Sequence, residues 1–461
     1  MSYSRSLILA GVAAGLMITG SFVACVGDSG NTDDATAPDT GSDVSQTGCL
    51  ARTADDGAGV FVATTGGDVS GCGTRGNPCK TLTFALNAAK TTSSKTTLYV
   101  SSGTYTESLI LDTPLSIEGG WKDTGGTWAP VCDATTSTAV TIAGTTNVTI
   151  TASYTGSATL RDVKIVSKSA ANHGETLYGV FAVGAATNLT LDSIVTDIGA
   201  GGSGVDGTPG AMGASANDAG CTTSDGGPGG TGANGTGGSA GGFSSTGYVA
   251  TNGDDAGMGA QGQGGTAFGQ GQCQTCQAFV GTCPGNCGFG NQQVCGTNGR
   301  SGCGGVGGSP GAFGTGGGSS IAVFVWDAKV TIFGGSLAAS NGGNGGNGGA
   351  GGDGGAGTNG VDGSTAICPT SLSNPGCLNN FCTGILNSST TLAAGTAGGA
   401  GGSGGTGGQG GGGSGGVSYT IVQGGDAGSV TLNANPKLLH GDGGTGGAAG
   451  GAGGGAGDKF P

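Results

Sequence analysis

Charged side chains are scarce in this chain. Lys, Arg, Asp and Glu together make up 9% of its 461 residues, too few for ordinary charge-driven disorder. Basic groups are scarcer than acidic ones, and the formal net charge is −14. Phosphate binding wants a basic face, so nucleic acid is excluded as an expected partner. There are only two histidines, His173 and His440, and no H-E-x-x-H or G-x-S-x-G string occurs; the common signatures of zinc peptidases and serine hydrolases are therefore missing. Proline numbers 12 and no strict Gly-X-Y register runs through the chain, which excludes collagen. The one long apolar run, Leu7 to Ile18, is short for a membrane span, which needs about 20 residues.

Glycine and cysteine are abundant instead. Glycine supplies 113 residues, about a quarter of the chain against a usual share of roughly 7%. There are 15 cysteines. Arg5, the Leu7–Ile18 run and Phe22-Val23-Ala24 before Cys25 have signal-peptide anatomy. The segment also resembles a bacterial lipobox, with Phe22 where that family usually has Leu. The resemblance implies that residues 1–24 are a cleaved signal and that Cys25 is lipidated. Val26 after the cysteine implies, by likeness to lipoprotein sorting rules, an outer-membrane or cell-surface address with the membrane as partner through the N-terminal lipid. Residues 25–48 are acidic and small and are expected to form a solvated tether.

With Cys25 spent on lipid, Cys49, Cys72, Cys79, Cys132, Cys221, Cys273, Cys276, Cys283, Cys287, Cys295, Cys303, Cys368, Cys377 and Cys382 remain. In an exported chain this even number reads as up to seven disulfides of undetermined connectivity. Cys273-x-x-Cys276 also invites a zinc or redox reading, although no histidine lies nearby.

From Gly59 the character of the sequence changes to that of a folded domain. Leu82, Ala85, Leu86 and Ala89 recur at helical spacing within Thr81–Lys90, and short strand-like runs follow. The strings VFVATTGGD, GCGTRGNPC, TLTFALNAA, LYVSSGTYTESLIL and SIEGGW resemble the opening of pectin-lyase-like right-handed parallel β-helix proteins. That family implies an all-β solenoid with a short N-terminal capping helix and a first rung at Val100–Glu107, which carries Gly103, Tyr105 and Glu107.

Internal repetition points the same way. Asn188-Leu-Thr-Leu, Lys329-Val-Thr-Ile and Ser429-Val-Thr-Leu each follow an apolar run and each precede a glycine-rich excursion. Alternation puts Leu189/Leu191, Val330/Ile332 and Val430/Leu432 on one inward face. The expected organisation is cap and first rungs at 49–198, a Gly/Cys-rich insertion at 199–318, a rung at 319–340, a Gly-rich insertion at 341–416, a rung at 417–440 and a Gly-rich tail at 441–461. The insertions resemble the glycine-rich tracts of the mycobacterial PGRS family. Two readings stay open for them: flexible linker, or polyglycine II-type helices with three residues per turn.

Few residues suggest chemistry. GGSGVD at 201–206 and GGAGGD at 348–353 match the start of a calcium β-roll repeat, but tandem copies are missing. Arg161, Asp162 and Lys164 read as a solvated face. Glu118, Trp121 and Trp128 would either line a sugar-binding strip or cap the β-helix. No cofactor, resident metal or catalytic residue is expected. The expected function is a non-catalytic surface lipoprotein, structural or adhesive, facing extracellular polysaccharide or other cell-surface components. The alternative is a carbohydrate-binding protein or a polysaccharide lyase or hydrolase of the β-helix class.

Overall fold

The computed structural model describes residues 52–132, 136–217, 221, 226–283 and 285–461. The signal segment, Cys25, the tether and Cys49 lie outside the described residues. Three parallel sheets form the body. The first runs through Gly59–Val62, Thr97–Ser101, Ser116–Thr124, Gly156–Arg161, Thr187–Asp192, Lys329–Phe333 and Ser429–Asn433, with Thr127–Pro130 paired antiparallel to its third strand. The second contains Gly103–Thr106, Val140–Ala143, Lys164–Val166, Val195–Asp197, Ser336–Ala338 and Lys437–Leu439. The third contains Leu109–Leu111, Val148–Ala152, Leu177–Val183, Ser320–Trp326, Ser418–Gly424 and Ala456–Phe460. From Thr97 onward the chain visits the sheets in the same order on every circuit, so each coil adds one strand to each sheet. This nearly all-β arrangement is compatible with a β-helix-like solenoid.

The coils stack because one coil cannot bury its own apolar side chains and a pile of them can. Val60, Leu98, Ile117, Leu160, Leu191, Ile332 and Leu432 occupy successive paired positions in the first sheet. Leu109, Ile150, Val180, Val323 and Ile421 do the same in the third. All of these except Leu432 are buried; Leu432, on the outermost coil, is 42% exposed. Phe61 lies between Val60 and Val62 and points to the opposite face of the sheet. There it packs with Tyr99, Trp121 and Trp128.

One helix, α1 (Leu82–Lys90), lies over the first coil and buries Leu82, Ala85, Leu86 and Ala89, the four residues whose spacing marked it. The Thr81 hydroxyl accepts from the Phe84 amide, and the Glu107 carboxylate accepts from the Leu82 and Thr83 amides at 2.8 Å each. A carboxylate on otherwise unpaired helix N–H groups stabilises that end. Glu107 therefore ties the helix to the first coil. Cys72 and Cys79 are bonded and close the loop ahead of it.

All three long glycine-rich excursions leave from the second sheet and return to the third. They separate Val195–Asp197 from Ser320–Trp326, Ser336–Ala338 from Ser418–Gly424, and Lys437–Leu439 from Ala456–Phe460. The third ends in a strand of the third sheet, although the sequence reads there as tail. Its glycines come first, and the short run Ala456–Phe460 carries no apolar alternation of its own.

The excursions pack against one another as backbone. Amides of Gly401, Gly404, Gly407, Gly410, Gly413 and Gly416 donate to carbonyls of Thr358, Gly355, Gly352, Gly349, Gly346 and Gly343. The next amides along, Gly402, Gly405, Gly408, Gly411 and Ser414, donate instead to Gln263, Ala260, Gly257, Asp254 and Thr251. Carbonyls of Gly402, Gly405, Gly408, Gly411 and Ser414 accept from a third segment, at Gly305, Gly308, Gly311, Gly314 and Gly317. The direction of bonding repeats every third residue, so the backbone turns by about a third of a circle per residue, as in an extended three-residue helix.

Glycine is required here for space and not for φ. Among the ladder glycines only Gly226 and Gly450 have positive φ. A Cβ at Gly404 would overlap the Val306 carbonyl oxygen, and one at Gly405 would overlap that of Gly230. Ser403, Thr406 and Gln409 are exposed. At Gly412 and Gly415 the same outward position is buried, because the 444–452 segment covers it and a Cβ would overlap the Ala448 and Gly444 carbonyl oxygens. The outward position of the GGS-GGT-GGQ repeat becomes glycine at 412 and 415, where the segment gains a neighbour on its last free side.

Side chains complete the ladder at one edge. Asn341, Asn344 and Asn347 Oδ1 accept from the Asp442, Thr445 and Ala448 amides at 2.9, 2.9 and 2.8 Å. Near the coils, the hairpin Gly242–Ser244/Gly247–Val249 folds onto the outer face of the third sheet. There the Tyr248 amide donates to the Tyr178 hydroxyl at 2.7 Å and Phe243 joins a cluster with Tyr178, Phe324 and Phe460.

Gly404→Ala should lower the stability of the bundle by about 1–3 kcal/mol through forced separation of two backbones. Ser403→Ala, one residue away and facing solvent, should change it by less than about 0.5 kcal/mol. Thermal unfolding with amide hydrogen exchange over residues 302–318 and 343–358 distinguishes the two.

Candidate functional site

Residues 343, 416 and 318 lie next to the coils, and the ladders run from there to Cys303 and Thr358 at the other end. At about 3.1 Å per residue, the 343–358 run spans on the order of 50 Å. Two antiparallel hairpins occupy that far end. One pairs Cys273–Val280 with Gly288–Cys295, and the other pairs Ala366–Leu378 with Phe381–Leu392.

Disulfides hold the hairpins together. Cys273 is bonded to Cys295 directly across the first hairpin, and Cys276 to Cys368 across a small buried cluster with Leu392. Cys283–Cys377 and Cys287–Cys382 join the two tips. Cys221–Cys303 fastens the bundle itself, and Cys132 is also disulfide-bonded. Each bridge typically contributes about 2–4 kcal/mol by restricting the unfolded chain. The zinc and redox readings of Cys273-x-x-Cys276 do not hold in this structure. Residues three apart on a strand face opposite ways, and each of these cysteines has its own distant partner.

The tip turns tightly at Leu378-Asn379-Asn380-Phe381. Both asparagines have positive φ, 50° and 67°, which is the backbone of a primed hairpin turn. Phe279 of the first hairpin lies against Gly384 of the second, where a Cβ would overlap its ring. The outer surface is apolar: Val280, Phe289, Leu378, Ile385 and Leu386 are exposed, and Phe381 is 75% exposed. So many large apolar groups on two small hairpins are unusual for a solvated surface. The sequence reading missed both hairpins. Asn379-Asn380 between apolar residues, flanked by Cys377 and Cys382, was the available signal.

A second polar constellation lies on the outer face of the first sheet. Arg52 Nη1 donates to Asp162 Oδ2 at 2.5 Å, with Glu118 Oε2 3.4 Å from Nη2. Arg161 Nε donates to Asp192 Oδ2 at 2.7 Å, and on the neighbouring second sheet Lys164 Nζ donates to Asp197 Oδ2 at 3.0 Å. The Arg52 guanidinium stands over the Trp121 ring at 5.1 Å. Glu118, Asp162 and Asp192 are thus each engaged by arginine. Asp162 departs from the solvated face expected of it: it is buried, at the bend after the Gly156–Arg161 strand, with φ +53°.

Trp121 and Trp128 offer no free ring face for a sugar. They are 1% and 7% exposed, packed with Phe61 and Tyr99, and Trp128 Nε1 donates to the Arg75 carbonyl. Nor do they close the end of the core; they cover the outside of the first sheet. His173 and His440 are exposed and bond to the Ser203 and Gly441 carbonyls. The two calcium-like strings are rungs of the glycine ladder: Gly204 and Gly207 donate to Asn344 and Asn347, and Asp206 Oδ1 accepts from the Asn347 amide.

Among the described residues no helix is long and apolar enough to cross a membrane. No protein-family model, no curated protein and no solved structure matches this chain.

Burial pushes the Asp162 carboxyl above its ordinary value of 3.8, and the Arg52 charge and hydrogen bond only partly oppose this. The folded protein therefore holds this proton to higher pH than the unfolded chain does. The contribution to stability is greatest below the unfolded value and declines as pH rises through the raised folded value. Asn tolerates the positive φ, so Asp162→Asn should keep the bend and flatten that leg of the stability profile. Urea midpoints of both proteins across acidic pH provide the check.

Proposed function

We propose that this chain is a non-catalytic cell-surface lipoprotein of adhesive or structural type, anchored through Cys25, whose contact surface is the apolar pair of hairpins at the far end of the glycine bundle. In this reading the coils form a right-handed parallel β-helix of pectin-lyase-like form, and the bundle is a set of polyglycine II-type helices acting as a spacer. The lipid and the 25–48 tether hold the chain at an outer membrane, and the hairpins at the far end of the bundle make the contact.

One observation carries the proposal: large apolar side chains, Phe381 foremost, are exposed on hairpins stapled at their tips. Ordered apolar groups bind with little further loss of conformational freedom. The engagement of the outer-face carboxylates by arginine and the burial of both tryptophans favour this surface over the first sheet as the working one. Extracellular polymers or other cell-surface components are the partners it would meet.

Bacteria displaying the full chain should be retained under flow on apolar and polysaccharide-coated surfaces. Leu378→Ser with Phe381→Ser should reduce retention at least several-fold while leaving the thermal midpoint of the coils unchanged. Retention equal to that of the unaltered protein would remove the tip from the proposal. Intact mass of the displayed protein should show acyl groups that are absent from Cys25→Ser.

A further inference from the structure

Two disulfides join the same two hairpin tips, and their four sulfurs form a single cluster. Cys287 Sγ lies 3.3 Å from Cys377 Sγ and 3.9 Å from Cys283 Sγ, although it is bonded to neither. The sulfurs of Cys283, Cys287 and Cys382 all lie within 4.8 Å of one another. Among the described residues this is where three or more Cys, His or carboxylate ligand atoms converge.

We propose that Cys283, Cys287, Cys377 and Cys382, when reduced, form a tetrathiolate site for a soft divalent metal ion of the zinc class. A tetrahedral zinc centre with bonds of about 2.3 Å holds its sulfurs roughly 3.8 Å apart. The Cys287–Cys377 and Cys283–Cys287 separations of 3.3 and 3.9 Å bracket that distance, and Cys382 lies within 4.8 Å of Cys283 and Cys287, so accepting an ion requires Cys377 and Cys382 to close on the same centre. The spacings are those of structural zinc sites, which take ligand pairs two to four residues apart. Cys283 and Cys287 flank three residues, and Cys377 and Cys382 flank four.

The backbone places both pairs at turns. The Gly285 amide closes on the Thr282 carbonyl in one tip, and Asn379 and Asn380 reverse the chain in the other. Cys377 and Cys382 are directly opposite one another across their hairpin, so both side chains leave the same face and reach the same tip of the neighbour.

Once one bond joins the tips, the second closes only the short ring through 283–287 and 377–382. It therefore removes less chain freedom than the first, which closes a long loop. Cys273–Cys295 and Cys276–Cys368 have no such doubling; each closes a different path.

The chemistry balances as follows. A phosphine reductant supplies four electrons, two to each disulfide, and water supplies four protons, giving four thiols and two phosphine oxides. A divalent ion then displaces the four thiol protons and is held by four thiolates, so binding strengthens as pH rises. Removal of four electrons by a disulfide-class oxidant restores both bridges and releases the ion.

The test uses the full chain. After anaerobic reduction and removal of the phosphine, titration with cobalt(II) should give thiolate-to-cobalt charge transfer and tetrahedral ligand-field bands that saturate at one equivalent and vanish on adding zinc(II). Cys273→Ser with Cys295→Ser should retain the bands, and Cys283→Ser with Cys382→Ser should lose them. Zinc should also protect Cys283, Cys287, Cys377 and Cys382 of the unaltered chain from alkylation, mapped by mass spectrometry, a readout that needs no variant to fold. Absence of tetrahedral bands, their persistence in the Cys283/Cys382 variant, or alkylation of the four cysteines undiminished by zinc would each overturn the proposal.

Discussion

The structure depends on backbones approaching closer than a β carbon permits. At Gly404 and Gly405, as at most ladder positions, the space where a Cβ would stand is filled by the carbonyl of a neighbouring segment. Each approach converts an N–H and a C=O that water would otherwise solvate into an internal hydrogen bond, and burying them unpaired would be costly. The bundle has almost no side-chain core of its own. Its cohesion comes from many parallel and antiparallel ladders repeating every three residues, which is why the composition is rich in glycine and poor in large apolar and charged groups. A single bulky residue at an inward position forces two strings apart along their length, whereas Ser403, Thr406 or Gln409 at the outward position costs nothing.

Such ladders have weak register of their own, since Gly-Gly-X slides onto itself by three residues without changing its chemistry. The coils supply the missing register. Segments 199–318, 341–416 and 441–455 depart from aligned strands of the second sheet and return to aligned strands of the third, and that alignment is set by side chains that cannot slip. Leu191 pairs with Ile332 and Val180 with Val323, and a one-residue shift would turn each column outward. Specific anchors add to this. The Asn341, Asn344 and Asn347 side chains bond the third excursion to the second at every turn, and Glu107 holds α1 to the first coil.

What could be read from the sequence follows from where side chains do the work. The period-two alternation of Leu189/Leu191 and Val330/Ile332 identifies the inward columns, and the spacing of Leu82, Ala85, Leu86 and Ala89 identifies α1, because in both places burial is decided by side-chain type. In the bundle it is decided by missing side chains. A Gly-Gly-X tract has the same composition whether solvated or packed, so order there is visible only from the neighbours. Asp162 and Trp121 were misread for a related reason: each meets residues far away in sequence, Arg52 at both and Tyr99 at Trp121, whose arrival no local pattern announces. The strand Ala456–Phe460 and the two far hairpins are likewise fixed by what they pair with, not by their own periodicity.

The hairpins complete the logic of the long excursions. A segment that leaves one coil and rejoins the next a hundred residues later must overcome a large loop-closure entropy, which grows only slowly with length but still favours an open chain. Ladder bonds offset this along the bundle, but at its far end the chain must turn, and turning segments lose the neighbours that satisfied them. Disulfides concentrate there. Cys221–Cys303, Cys273–Cys295, Cys276–Cys368, Cys283–Cys377 and Cys287–Cys382 all lie within the excursions, whereas the stacked coils beyond Cys132 contain no cysteine at all. Covalent bonds thus replace apolar burial where no core exists to supply it. That substitution leaves Phe381, Leu378 and Ile385 free to face outward, since the hairpins do not need them for folding.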